Sequence, residues 1–225
     1  QALDAAAGVF AAAPAVAAYA DRVDDSLGID ELIDFSGAAG FDLALATCLA
    51  RGIPLVSGST GLAAGQVAAA SAAAQRIPVL CAANFSLGVA LLQRLVASAA
   101  SSLGTEFDVE IIETHHRDKV DAPSGTALAL GRTVAQARGQ DFEQVACLSR
   151  LGAAGPRRPG EIGFAALRAA DVVGEHTVLF AADGERLELS HRAGDRSIFA
   201  RGAVQSACWI TGRAPGRYEL ADVIG

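Results

Sequence analysis

Two of the chain's four histidines are adjacent, His115 and His116, in the stretch ETHHRDKVDAPSGTALAL that covers residues 113–130. Lys119, Pro123, Ser124, Gly125 and Thr126 follow within eleven residues of that pair. A strand-like run precedes this segment and good helix formers follow Pro123, so Ser124 or its neighbour is expected to cap a new helix. Gly125 and Thr126 would then present backbone N–H groups at a helix start, where an anion binds readily. Gly125 has no side chain to bar close approach. Lys119 adds a fixed positive charge and His116 a further hydrogen-bond donor. The guest this chemistry suits is a carboxylate or phosphate. His115 is left as the titratable group, suited to donating a proton near neutral pH. Asp118 and Asp121 read as turn formers. A metal is not expected, because adjacent histidines on an extended segment face opposite ways and no carboxylate or cysteine at ligand spacing completes a site.

Positioning such a site needs a scaffold, and the chain spells one out. ELIDFS, IPLVSGSTG and IPVLCAANFS read as strands, and FDLALATCLARG, LAAGQVAAASAAAQ and GVALLQRLVASAASSL as the helices between and after them. That alternation predicts an α/β fold with a Rossmann-like parallel sheet. FDVEIIE follows as an alternating strand, and GRTVAQARGQ continues the helix after Pro123. LGAAGPRRPGE is a Gly/Pro/Arg loop. The segment from Ile162 to Gly194 then reads as successive strands, with Asp183-Gly184 as a tight turn, and predicts an α+β domain with a mixed, largely antiparallel sheet. SIFARGAVQSACWITG is a last amphipathic helix, ended at Gly212. The expected domains are 1–86 with 196–225, and 87–195. Ligands of parallel sheets sit outside the carboxyl ends of the strands. Here those ends carry Asp34-Phe35-Ser36, Ser57 to Gly61 and Ala82 to Ser86, all small or polar apart from two phenylalanines.

Composition narrows the function classes. A net charge of −7 argues against a nucleic-acid partner. No apolar run reaches the roughly 20 residues of a membrane span, so no membrane role is expected. Cys48, Cys81, Cys147 and Cys208 form no CxxC pair, Cys48 and Cys81 read as small buried residues, and the absence of a signal-peptide pattern makes a reducing cytoplasm the expected location. The chain starts at Gln1 and has no methionine, so its front is expected to be missing.

The histidine stretch closely resembles the signature E-x-H-H-x-x-K-x-D-x-P-S-G-T-A of the dihydrodipicolinate reductase family, also called 4-hydroxy-tetrahydrodipicolinate reductase, with every fixed position met. DFS, GSTG, AANFSLGV, PGEIGF, VGEHTV, ERLELSHRA and FARGAV extend the resemblance over roughly residues 31–225. The resemblance implies an oxidoreductase of lysine and diaminopimelate biosynthesis. It would reduce a cyclic imine dicarboxylate with NADH or NADPH. On it, His115 is the general acid and Lys119 the assisting cation. His116, Ser124, Gly125 and Thr126 would hold the substrate's carboxylates. Gly58, Ser59, Thr60, Ala82, Ala83, Asn84 and Phe85 would line the nicotinamide end of the cofactor, with Arg196 nearby. It also implies a homotetramer built through the second domain.

The resemblance stops short at the front. The family's G-x-x-G-x-x-G fingerprint has no counterpart, Gly8 standing alone, and the acidic or basic residue that reads the adenosine ribose cannot be placed. QALDAAAGVFAAA is expected to belong to a first helix, and Asp21, Arg22 and Asp24 to a helix before ELIDFS. Two other readings stand beside the reductase. One is a truncated relative that serves as a carboxylate-binding or scaffold protein; the other is a different dehydrogenase acting on another small acid.

Overall fold

The computed structural model describes residues 9–11 and 28–225. In chain order the elements are β1 (Val9–Ala11), β2 (Leu32–Asp34), α1 (Ala38–Arg51), β3 (Leu55–Ser57), α2 (Ala64–Ala73), β4 (Pro78–Cys81) and α3 (Leu87–Leu103). Then come β5 (Asp108–His115), α4 (Gly125–Ala137), α5 (Phe142–Val145), β6 (Ala146–Cys147), β7 (Ile162–Arg168), β8 (Gly174–Ala182) and β9 (Glu185–Ala193). The chain closes with α6 (Ser197–Ile210), β10 (Gly216–Tyr218) and α7 (Leu220–Val223). It forms two compact units, one of Gln1–Leu87 with Ser197–Gly225 and the other of Gly88–Arg196.

The first unit is built on a five-stranded sheet ordered β1-β2-β3-β4-β10. β2, β3, β4 and β10 run parallel, and β1 joins the edge antiparallel to β2. Every residue of β2 and β3 is buried, as expected of strands covered on both faces. α1 ends where Gly52 adopts the left-handed conformation and returns its N–H to the Cys48 carbonyl. Leu32, Phe41, Leu45, Leu55, Ile77 and Val79 form the core beneath. β1 corrects the expected helix at this point: Val9–Ala11 is a strand, paired with Leu32–Asp34. The rest of that expected helix, and Asp21, Arg22 and Asp24, lie outside the described residues. Cys48 is buried as expected, while Cys81 is only half-buried.

The second unit carries a sheet ordered β6-β7-β5-β8-β9. β5, β8 and β9 are antiparallel neighbours, whereas β7 runs parallel to both β5 and β6, so the sheet is mixed. Leu92, Val96 and Ala100 of α3 and Ala127, Leu130 and Val134 of α4 pack on one of its faces, against Val109, Ile111, Ile162, Phe164, Val178 and Phe180. α4 can lie this close because Gly131 has no side chain; a Cβ there would sit 2.5 Å from the Phe164 ring. With the short turn after it, α3 forms a 20-residue apolar segment, Leu87–Glu106, which by length and composition alone could cross a membrane; that corrects the expectation that no stretch reaches this length. Its Leu92, Val96 and Ala100 are spent on the core of this unit. The alternation of β5 sends Glu113 and His115 to the helix-covered face, at the strand's carboxyl end and beside the start of α4.

Candidate active site

The last residue of β5 is His115, and the residue two before it on the same face is Glu113. Glu113 is 1 % exposed, and its carboxylate is the hub of the site. Oε2 accepts a short hydrogen bond from His115 Nδ1. Arg168, at the register position opposite His115 on β7, donates to both carboxylate oxygens at 3.0 Å. Ser124 N donates to Oε1 at 3.2 Å. A buried carboxylate is tolerable only with such pairing. Arg168 also donates to the carbonyls of Lys119 (3.3 Å) and Asp121 (2.6 Å), which fastens the loop after β5 to the sheet.

Ser124 caps α4 as the sequence predicts: its Oγ accepts from Ala127 N at 3.1 Å. Gly125 and Thr126 are therefore the first two residues of the helix, whose first-turn N–H groups have no intrahelical carbonyl to bind. Space above Gly125 is open, with nothing within 4 Å of where its Cβ would stand. Lys119 Nζ donates to Asp121 Oδ1 at 2.7 Å, and that hydrogen bond holds the Asp121 carboxyl below its usual range. His116 is directed elsewhere from His115. It lines an open depression of about 630 Å³ together with Arg117, Asp118, Ala170, Asp171 and Arg196. Arg196, expected beside the cofactor in the first domain, is the last residue of the second unit.

His176, on β8 opposite Glu113, is a residue the sequence reading did not single out. It is 4 % exposed, its Nε2 lies 3.1 Å from Ser124 Oγ, and its ring meets the His115 ring edge-on at 5.1 Å. Burial first, and the neighbouring His115 second, push its pKa down to about 4. His176 is thus neutral at physiological pH, and the Ser124 hydroxyl has its proton to give to Nε2. A histidine whose folded pKa lies below 6.5 binds its proton more readily in the unfolded chain, so it destabilises the fold as pH falls from 6.5 towards 4. His191, also lowered by burial, acts in the same direction. We expect roughly 3 kcal/mol of unfolding free energy to be lost over that window, and His176→Gln to flatten the slope in denaturant titrations run at several pH values.

Gly174, the first residue of β8, faces the other nitrogen of His115: a Cβ added there would stand 3.0 Å from Nε2. Gly174→Ala is expected to push the imidazole off its position and lower kcat about tenfold, with little change in melting temperature. Steady-state rates beside a thermal melt check this.

In the first unit the carboxyl ends of the parallel strands are organised by Asp34, which is fully buried. Its carboxylate accepts from Ser36 N (2.9 Å), Ser36 Oγ (2.5 Å), Ser57 Oγ (2.7 Å) and Ser59 Oγ (2.7 Å). Ser59 Oγ in turn accepts from Gly37 N at 2.9 Å, which ties the loop after β2 to the loop after β3. The Ser59 hydroxyl, expected at the cofactor, is thereby engaged within the protein. Phe85 is buried at 1 % exposure under Phe35, whose ring is 5.5 Å away and 41 % exposed, so Phe35 offers the accessible aromatic ring at this end. A Cβ on Gly58 would fall 2.2 Å from the Phe35 ring, so bare backbone lies against that aromatic. Thr60 and Ala83 are exposed, Ala82 and Asn84 half-buried. The Asn84 side-chain oxygen accepts from Ser86 N at 2.8 Å.

Comparison with known proteins agrees with both units. Residues 3–85 match the family described as "Dihydrodipicolinate reductase, N-terminus", and residues 88–224 match its "C-terminus" counterpart. The chain belongs to the dihydrodipicolinate reductase family. The 4-hydroxy-tetrahydrodipicolinate reductase of Alkalilimnicola ehrlichii is 52 % identical over 196 residues, 87 % of this chain and 73 % of that protein. The reductase of the same name from Zymomonas mobilis is 48 % identical over 207 residues, 92 % of this chain and 82 % of its own. A solved dipicolinate-bound dihydrodipicolinate reductase from Paenisporosarcina sp. TG-14 superposes with a TM-score of 0.69 at 25 % identity, covering 85 % of this chain and 72 % of that one. As a member of this reductase family the chain is an oxidoreductase, and the family uses a nicotinamide cofactor. Among the described residues, small side chains, bare backbone at Gly58 and the exposed Phe35 ring suit the nicotinamide end of such a cofactor.

Proposed function

We propose that the chain reduces 4-hydroxy-tetrahydrodipicolinate, a cyclic imine dicarboxylate, to tetrahydrodipicolinate with NADH or NADPH, in lysine and diaminopimelate biosynthesis. The observation that carries this reading is His115 and the Ser124-capped start of α4 sharing the one buried Glu113 carboxylate. An acid and an anion cradle are thus held together. The relatives' names and the dipicolinate bound in the Paenisporosarcina reductase support a ring with two carboxylates as the guest.

In this reading the Gly125 and Thr126 amides hold one carboxylate, with Ser124 setting the turn of the helix on which they sit. His116 turns out of the depression it lines to take the other carboxylate, and Lys119 offsets the charge of the ring. A bound nicotinamide supplies the hydride that reduces the substrate's ring. His115 then gives the proton that the hydride step calls for, loss of the 4-hydroxyl as water balances the conversion to tetrahydrodipicolinate, and the imidazole regains its proton from solvent. Gly58, Ser59, Thr60, Ala82, Ala83, Asn84 and Phe85 form the wall at the nicotinamide end, Ser59 and Phe85 by holding the loops.

The test is direct. Full-length protein is mixed with enzymatically generated substrate and either NADH or NADPH, and absorbance of the reduced nicotinamide is followed, with product analysis. Substrate-dependent oxidation yielding tetrahydrodipicolinate is expected with at least one cofactor. Cofactor binding without any substrate-dependent oxidation would contradict the reading.

Assembly and location belong to the same proposal. The face of the mixed sheet opposite its helices carries Ile112 and Leu167 exposed, flanked by Ala165, Thr177 and Ser190, and such a face suits packing against copies of itself in a homotetramer. A light-scattering mass of four chains is expected, and a mass of one would count against it. The four cysteines are free, as a reducing cytoplasm would keep them.

A further inference from the structure

Among the described residues, Glu113 touches the acid, the cradle and a fixed cation at once. His115 Nδ1, Ser124 N and Arg168 Nη1 all converge on a carboxylate with almost no exposure. We infer that Glu113 is a positioning residue of the reaction: it holds the His115 imidazole in the form protonated at Nδ1, so that Nε2 does the proton transfer, and it locks that ring to the first turn of α4. The inference rests on the reading of His115 as the general acid.

The chemistry follows from the contacts. Both Glu113 oxygens accept from Arg168 at 3.0 Å and Oε1 also from the Ser124 amide, so the carboxyl is set among donors and accepts from Nδ1–H in turn. The proton that leaves for substrate must then come from Nε2, the nitrogen beside the Gly174 backbone. When Nε2 has given up its proton, Nδ1–H stays on Glu113 and the neutral ring keeps its place. The Ser124 amide hangs from the other carboxylate oxygen, so any movement of Glu113 shifts acid and cradle together. Orientation of a catalytic imidazole by a carboxylate on its second nitrogen is a general device, and a neutral amide in its place favours the wrong tautomer.

Among the described residues, Glu113 on its own strand, Arg168 opposite on β7 and His176 on β8 lie against His115. Arg168 opposes a positive imidazole, and Glu113 alone among the three favours it. Glu113→Gln should therefore lower kcat roughly 10²- to 10³-fold and move the alkaline limb of the kcat–pH profile to lower pH by about one unit. Glu113→Asp, which restores the charge at shorter reach, should move that limb back towards the wild-type position. A folded Glu113→Gln enzyme with wild-type kcat and an unmoved limb would overturn the inference. Should Glu113→Gln fail to fold, ¹⁵N NMR of histidine-labelled wild-type protein decides: the neutral His115 ring should carry its proton on Nδ1, and the opposite tautomer overturns the proposal. Failure of the underlying reading looks different, because His115→Gln would then also leave turnover untouched.

Discussion

Glutamine in place of His115 lowers kcat by roughly 10²- to 10⁴-fold, the range a lost general acid costs. Glutamine cannot cycle a proton near neutral pH, so the proton must come from water. Binding, in contrast, should change little, since the amides at Gly125 and Thr126 and the side chains of His116 and Lys119 are untouched. KM should accordingly stay within a few-fold of wild type, which marks a contribution made in the transition state rather than in the ground state. Steady-state kinetics with saturating reduced cofactor measures both terms. A variant that retained wild-type kcat would remove His115 from the proposed role.

Alanine in place of Asp34 destabilises the first unit by about 3–5 kcal/mol, because four hydrogen bonds to a buried charge are lost at once and two hydroxyls are stranded. Ser57 and Ser59 both lie below 10 % exposure and would keep no acceptor at that point. The Gly37–Ser59 link between the two loops would lose the anchor behind it. Trp209, the only tryptophan, lies on α6 in the same unit, so its fluorescence in a denaturant titration reports this loss. Asp34→Asn, which keeps the shape and loses the charge, should fall between. An Asp34→Ala midpoint equal to wild type would show that the carboxylate does not hold these loops.

Much of this architecture could be read in the sequence, for local reasons. β2, β3 and β4 announce themselves as short apolar runs between helical stretches, and Gly52 and Ser124 mark helix ends by chemistry that needs no tertiary partner. VFA at 9–11 went the other way. In an alanine-rich stretch local propensity favours helix, and only pairing with β2 makes it a strand. β10 is three residues long, too short for any period to show. The Gly/Pro/Arg loop read as irregular, yet its Arg157 hydrogen-bonds Glu110 and the Val109 carbonyl, partners on β5 that only the folded sheet brings within reach.

At the site, the residues nearest in sequence were legible and their supports were not. His115, Lys119 and Ser124 lie within ten residues, but Arg168 reaches Glu113 from 55 residues away and His176 reaches Ser124 from 52. Two signals were present all the same. Glu113 and His115 stand two apart on a strand, which puts them on one face. His176 falls in phase with Gly174, Val178 and Phe180, so a histidine sits on the buried face of β8. Asp34 gave no comparable sign, because its partners Ser57 and Ser59 come from a neighbouring strand end whose register the sequence does not state.

The central claim is that α4's first turn and His115 together receive a planar ring dicarboxylate, and a crystal structure of the full-length protein with dipicolinate tests it most directly. One carboxylate is expected within about 3 Å of the Gly125 and Thr126 amides, with His115 Nε2 turned towards the ring. Dipicolinate bound elsewhere, with the start of α4 left to solvent, would contradict it.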